Sequence, residues 1–300
     1  MKSIKNIPSS VRQRILDRAR KDRRPFNELL QYYAIERFLY RFSLSNHSDR
    51  FVLKGALMLR VWGSPEIRPT MDIDMLGITS NEESEVIKQI QDILSVDVEP
   101  DGLVFDLDSI RSERITEDAD YKGIRIRFHG NLDKAIIHMQ VDIGFGDAVH
   151  PVPEMHEFPT LLDFPAPFLN CYSRESSIAE KLEAMVTLGI LNSRMKDFYD
   201  IWLLARLFDF DEGSLTEAIR QTFKRRGTPI PLGIEAFSTS FIDAKQIQWT
   251  AFWKRLAQEY VPKNFKDVIL TVEEFLSPAI SSLVSKNPNP LKWKAPGPWK

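Results

Sequence analysis

Apolar residues recur at helical spacing along two stretches at the start of the chain. Val11, Ile15 and Leu16 mark an amphipathic helix that begins after Pro8, with Ser9 or Ser10 as N-cap, and runs to about residue 22. Arg24-Pro25 ends it, because the residue before a proline is pushed out of the helical region. A second helix over about 27–43 is apolar and aromatic at Leu29, Leu30, Tyr33, Ile35, Phe38, Leu39 and Phe42. An apolar stretch follows at 51–62, interrupted by Gly55. The period then changes to two. Met71, Ile73 and Met75 face one way, while Thr70, Asp72 and Asp74 face the other, the alternation of a half-buried strand. A helix is expected over 81–94, and a weakly patterned acidic region after it.

Two further segments alternate. One sets Ile124, Ile126 and Phe128 against Arg125, Arg127 and His129. Its neighbour sets Ile137, Met139, Val141 and Ile143 against His138, Gln140 and Asp142. Prolines at 151, 153, 159, 165 and 167 mark a surface connection and the best domain boundary. Beyond it the pattern is helical, over about 175–190, 194–209, 213–225, 235–260 with a break, and 265–284. The organisation expected is basic N-terminal helices over 1–50, a strand-bearing core over 51–150, a helical domain over 172–285, and a disordered Pro- and Lys-rich tail over 286–300.

Composition narrows the class. A single cysteine, Cys171, excludes a disulfide framework and a cysteine-based zinc site and fits a reducing cytoplasm. No apolar run is long enough to cross a membrane, and the first residues lack the apolar centre of a secretory signal. The formal net charge of −2 conceals a division. Residues 1–60 carry 14 Lys or Arg against 5 Asp or Glu, whereas 71–120 carry 15 acids against 3 bases. Arg12, Arg14, Arg18, Arg20, Lys21, Arg23 and Arg24 are the densest cations, readable as a solvated helix face or as a landing surface for nucleic acid.

The candidate chemistry centres on Asp72 and Asp74. Two carboxylates two positions apart on a strand share a face, with Cα atoms about 6.6 Å apart. They repel and resist desolvation unless a cation compensates, and an all-oxygen donor pair suits Mg²⁺, or Mn²⁺ in its place. Alone, an Asp-x-Asp is a weak signal. Lys54-Gly55-Ala56-Leu57 precedes it, a glycine where backbone amides can approach a phosphate. Arg68 lies between, a candidate for a triphosphate, and Asp142 on the expected neighbouring strand is a candidate third carboxylate or a water-facing acid. Lys181 falls on the apolar stripe of its helix, and Asp197 and Asp200 share one face of the next. Lys181, Arg194 and Lys196 could serve only as ion-pair partners, or Lys181 could contact phosphate with an aspartate orienting it. Serine-hydrolase, Walker A and dinucleotide fingerprints are absent.

Lys54-Gly55-Ala56-Leu57, Arg68-Pro-Thr70-Met-Asp72-Ile-Asp74, Gln140-Val-Asp142, Ala179-Glu-Lys181-Leu-Glu-Ala-Met185 and Ser193-Arg-Met-Lys-Asp197-Phe-Tyr-Asp200 occur in this order. Together they resemble the AbiEii/AbiGii toxin family within the DNA polymerase β-like nucleotidyltransferase superfamily, over about residues 5–230. The resemblance implies an α+β fold, a nucleotidyltransferase core with a short mixed β-sheet flanked by helices and a helical C-terminal domain. It implies Mg²⁺-dependent transfer of NMP from an NTP to an RNA acceptor, tRNA foremost, which blocks translation and growth. It implies a neighbouring antitoxin of a type IV system acting in phage defence. Lys54, Gly55, Ala56, Arg68, Thr70 and Lys181 then bind nucleotide, Asp72 and Asp74 hold metal, and Asp142, Lys181, Asp197 and Asp200 complete the catalytic set. Ala56 stands where the wider superfamily has serine, which removes a hydroxyl from the triphosphate site. Two alternatives stay open: a small-molecule, antibiotic-type nucleotidyltransferase, and a catalytically degenerate binding module.

Overall fold

The computed structural model describes residues 6–64, 70–116, 122–231, 233–285 and 291–300. It resolves two compact units, one of residues 1–146 with 153–172, the other of 147–152 with 173–300. The N-terminal helices belong to the first unit and are not a domain apart.

Helix α1 (Ile7–Asp22) starts earlier than the serines suggest. Asn6 is its N-cap, with a side-chain oxygen accepting from the Ser9 amide, and Pro8 sits in the first turn, where its missing N–H costs nothing. Val11, Ile15 and Ala19 face inward against α2 (Phe26–Leu44), which is buried along most of its length. Phe38 of α2 packs against Phe105 and Phe128 of the sheet, at ring-centroid distances of 6.4 and 5.6 Å. Arg41 from the same helix forms a buried pair with Asp101 at 2.7 Å. One acid of the acidic block is therefore an internal partner and not solvated surface.

The sheet has seven strands among the described residues. Its strands are β1 (Phe51–Lys54), β2 (Asp72–Gly77), β3 (Leu103–Thr116), β4 (Lys122–Leu132), β5 (Ala135–Phe145), β6 (Glu154–Glu157) and β7 (Phe168–Cys171), in the order β3-β4-β5-β2-β1-β7-β6. β2 runs parallel to β5 and antiparallel to β1, so the sheet is mixed and the fold is α+β. β4 and β5 form a hairpin closed by Asp133 and Lys134, with Asp133 at φ 53°. A turn of helix, α3 (Met58–Val61), follows β1, and α4 (Glu83–Leu94) packs on β3 and α2. Ile124, Ile126, Phe128, Met139, Val141 and Ile143 are buried on the helix-covered face, as the alternation requires. The polar members of the same strands face the other way.

The second unit is helical: α5 (Arg174–Leu188), α6 (Met195–Leu207), α7 (Glu212–Arg226), α8 (Thr239–Leu256) and α9 (Phe265–Ser285). A two-residue ladder joins β8 (Phe210–Asp211) to β9 (Lys292–Trp293). The chain end from 291 is thus ordered where a disordered tail was expected. Trp293 is fully buried and donates to the Ala205 carbonyl at 2.6 Å, and Trp299 stacks on Phe275. Aromatic burial outweighs the proline- and lysine-rich composition there. Residues 286–290 lie outside the described residues.

Candidate active site

β2 presents Asp72 and Asp74, both half-buried, on the polar face, with Ile73 and Met75 buried behind them. β1 lies beside it, and its last residue, Lys54, stands in register with Asp74. That places an amine-bearing side chain on the same face; its Nζ also lies 5.5 Å from the Tyr172 ring centroid. The chain then turns at Gly55 with φ +73°. A Cβ on Gly55 would fall 2.0 Å from Oδ2 of Asp74 and 2.7 Å from its Cβ and Cγ. The glycine is therefore required twice, by its backbone angle and by the Asp74 side chain that occupies the space above it. Ala56, buried, continues into a single 3-10 turn. Thr70 points its hydroxyl to the Asp72 carbonyl at 3.5 Å, and its amide meets the Tyr32 hydroxyl at 3.4 Å. Arg68 lies outside the described residues.

Asp142 is opposite Asp74 on the adjacent parallel strand, and Gln140 is opposite Asp72. Three carboxylates thus share one face of two neighbouring strands. The third has company that the sequence pattern did not show. Arg125, its register partner on β4, spans both Asp142 oxygens at 2.7 Å each, and the Gln140 amide donates to Oδ2 at 3.2 Å. Glu113 on β3 accepts from Arg125 at 3.4 Å and from both Nη atoms of Arg127 at 3.0 Å. Arg127 in turn donates to the Gln140 side-chain oxygen at 3.2 Å. The hydrogen bond to Asp142 pushes the Arg125 guanidinium above its ordinary range against the opposing effect of burial, and the charges of Asp142, Glu113 and Asp72 add to it. The alternation had placed Arg125 on the polar side of its strand; only the cross-strand register shows whom it meets.

In the helical unit, Lys181 of α5 pairs with Asp200 of α6 at 3.5 Å, both largely buried. Asp197 is held at 2.7 Å by Arg194, the N-cap residue just before α6. The structure thus separates the two aspartates: Asp200 partners the lysine, while Asp197 closes the start of α6. Arg226 of α7, which the sequence reading missed, bonds Asp147 at 2.9 Å and Glu183 at 2.7 Å. The last residue of the basic run Lys224-Arg225-Arg226 at the end of an amphipathic helix gives no local sign of such partners.

The basic residues of α1 divide as well. Arg14 pairs with Asp163, Arg18 with Asp22, Arg20 with Asp17 and Arg24 with Glu28, and Arg12 lies over the Phe26 ring. Lys21 and Arg23 are exposed and make no ion pair among the described residues. Arg24 also lies 5.2 Å from the ring of Tyr32, whose hydroxyl meets the Thr70 amide. The start of α1 is instead tied to the β4–β5 turn, where the Ser9 hydroxyl donates to Asp133 at 3.2 Å. Burial pushes the Cys171 thiol up to about 12, so it offers no nucleophile at neutral pH.

The arrangement can hold a divalent cation on adjacent carboxylates with a close-approach glycine beside them, on the polar face of the sheet. No group of three or more His, Cys, Asp or Glu poised for a metal occurs among the described residues. No helix is long and apolar enough to cross a membrane among the described residues. JHP933 from Helicobacter pylori has a solved structure similar to this chain, with a TM-score of 0.50 at 13% identity over 86% of this chain and 94% of that one. A second solved H. pylori chain, described provisionally as a nucleotidyltransferase, has a TM-score of 0.49 at 13% identity over 87% and 98%. The first likeness concerns the fold alone, and the second is too distant to argue from. No curated protein matches the sequence. Residues 37–271 match the family described as nucleotidyl transferase AbiEii toxin, type IV TA system. That span is most of the chain and contains every motif from Gly55 to Asp200: the protein belongs to the AbiEii nucleotidyltransferase toxin family.

Proposed function

We propose that this toxin-family transferase moves NMP from an NTP to an RNA acceptor, tRNA foremost, in a divalent-metal-dependent reaction. The observation that carries the reading is the Asp72–Asp74 pair on one face of β2 with the Gly55 backbone pressed against Asp74. The donor chemistry fits Mg²⁺, or Mn²⁺ in its place: two carboxylate oxygens donors, no sulfur and no imidazole. Asp72 and Asp74 would hold the ion, which supplies charge neutralisation to a triphosphate.

The rest is positioning by the chain. The acceptor hydroxyl oxygen bonds to the α-phosphorus as the bond to pyrophosphate breaks, and the hydroxyl proton leaves to solvent or a nearby base. Lys54, on the Asp74 face, adds positive charge beside the phosphates, and Gly55 and Ala56 let the backbone come close. Lys181 is assigned to the phosphates on its motif, oriented by Asp200. A cognate antitoxin, expected from the family, would restrain the enzyme.

The test is to incubate the purified protein with each labelled NTP, Mg²⁺ and total RNA. Label is expected on RNA from one NTP, and is lost with EDTA. Label on a small-molecule acceptor instead would favour the antibiotic-type alternative, and no Mg²⁺-dependent NTP binding would favour the degenerate module. Within the RNA reading, the exposed cations at the end of α1 give a separate expectation. K21A/R23A should weaken RNA retention about tenfold at physiological salt and flatten its salt dependence by about two phosphate contacts, measured by filter binding over a salt series. Unchanged retention and slope would remove α1 from the RNA surface.

A further inference from the structure

Asp142 shares a face with Asp72 and Asp74, yet most of its acceptor positions are already occupied. It accepts two bonds from Arg125 at 2.7 Å and one from Gln140 at 3.2 Å, which uses three of about four lone-pair positions. The fork is itself held: Glu113 bonds both Arg125 and Arg127, and Arg127 fixes the Gln140 side-chain oxygen so that its amide points at Asp142. Across four strands the register row reads Asp74, Asp142, Arg125, Glu113. A bidentate arginine–carboxylate pair is the most directional ion pair a protein makes. Three carboxylates on one face would repel, and Arg125 is the cation that meets Asp142 among the described residues.

We propose that Arg125 is an internal counter-cation that withholds Asp142 from the divalent ion, leaving Asp72 and Asp74 as the protein's ligands and Asp142 as a positioning residue. The inference rests on the metal role proposed for Asp72 and Asp74. It differs from a simple third-ligand arrangement in what removal of the arginine does. With Arg125 gone, Asp142 is free to rotate to the ion, displace one bound water and tighten binding. If Asp142 were already a ligand, removing Arg125 would change no coordination.

The experiment titrates the full-length protein with Mn²⁺ in the absence of NTP and follows water-proton relaxation, which reads both affinity and the number of waters on the ion. R125Q is expected to bind Mn²⁺ about tenfold tighter, with one fewer bound water, because an added carboxylate ligand shifts affinity on that scale. R125Q/D142N removes the pair without net charge and is expected to return to the wild-type affinity and water count. R125K keeps the charge but cannot span both oxygens; it should fall between wild type and R125Q, and it serves as the informative variant if R125Q does not fold. Tighter binding with an unchanged water count would be a field effect only and would overturn the proposal. So would R125Q and R125K indistinguishable from wild type, or a D142N protein that gains a bound water. Failure of the underlying metal reading looks different: D72N would then bind Mn²⁺ as wild type does, or wild type would bind none, and the proposal would fall with it.

Discussion

Replacing Asp72 with alanine is expected to leave the fold standing and to lower nucleotide incorporation by at least about a thousandfold, some 4 kcal/mol of transition-state stabilisation. Asp72 is half-buried at the first position of β2, with its backbone in the β2–β5 ladder and its side chain on the polar face. Alanine keeps that backbone, and it removes one of several like charges gathered on two strands. The melting temperature should therefore move by only a few degrees, in line with the small effects of substitutions outside the core. The same variant should lose its Mn²⁺ signal and any growth inhibition on expression. Incorporation at the wild-type rate by folded D72A would end the nucleotidyltransferase mechanism proposed for this site. The comparison needs both readings together, because a variant that simply unfolds would also be inactive.

Gly55→Ala is expected to be damaging for a different reason. The left-handed φ of +73° costs a non-glycine residue about 1–2 kcal/mol, and the new methyl would sit 2.0 Å from an oxygen of Asp74. Carboxylate or backbone must shift, and each shift removes Asp74 from its place on the face of β2. The stability loss should be about 2–3 kcal/mol by denaturant unfolding, with incorporation reduced to the level of D74N. The distinguishing feature is non-additivity. Since G55A acts through Asp74, the double variant G55A/D74N should be no less active than either single variant. Multiplying losses would show instead that Gly55 acts on its own, through a backbone contact to phosphate.

Much of this arrangement was readable from alternation. Asp72 and Asp74 fall on the polar face because Ile73 and Met75 fall on the apolar one, and the two strands of the β4–β5 hairpin show the same period. What stayed hidden was non-local. Strand β3 escaped notice because its register shifts between Asp106 and Arg111, so the alternation breaks mid-strand in an acidic segment. β6 and β7 lie inside the proline-rich stretch, where the composition argued for a loop, and each is four residues long. The α1 N-cap lies three or four residues earlier than expected because Pro8 is tolerated in a first turn. At the site, the sequence marks Gly55 only as a candidate phosphate residue; that it makes room for Asp74 depends on how β1 and β2 pair. The Asp142–Arg125 pair is of the same kind, two residues 17 positions apart that meet only through strand register.

The hairpin joining β4 to β5 has a bearing on how this site can vary. Its closing residues, Asp133 and Lys134, determine which residue of β4 faces which residue of β5, nine pairs from Leu132–Ala135 back to Ile124–Ile143. One residue added to or taken from that turn would exchange the two faces of β4, sending Arg125 and Arg127 toward the core and Ile124 and Ile126 into water. A turn some seven residues along the strand from Asp142 thus helps to frame the candidate site, and length changes there must come in pairs to keep its residues on one face.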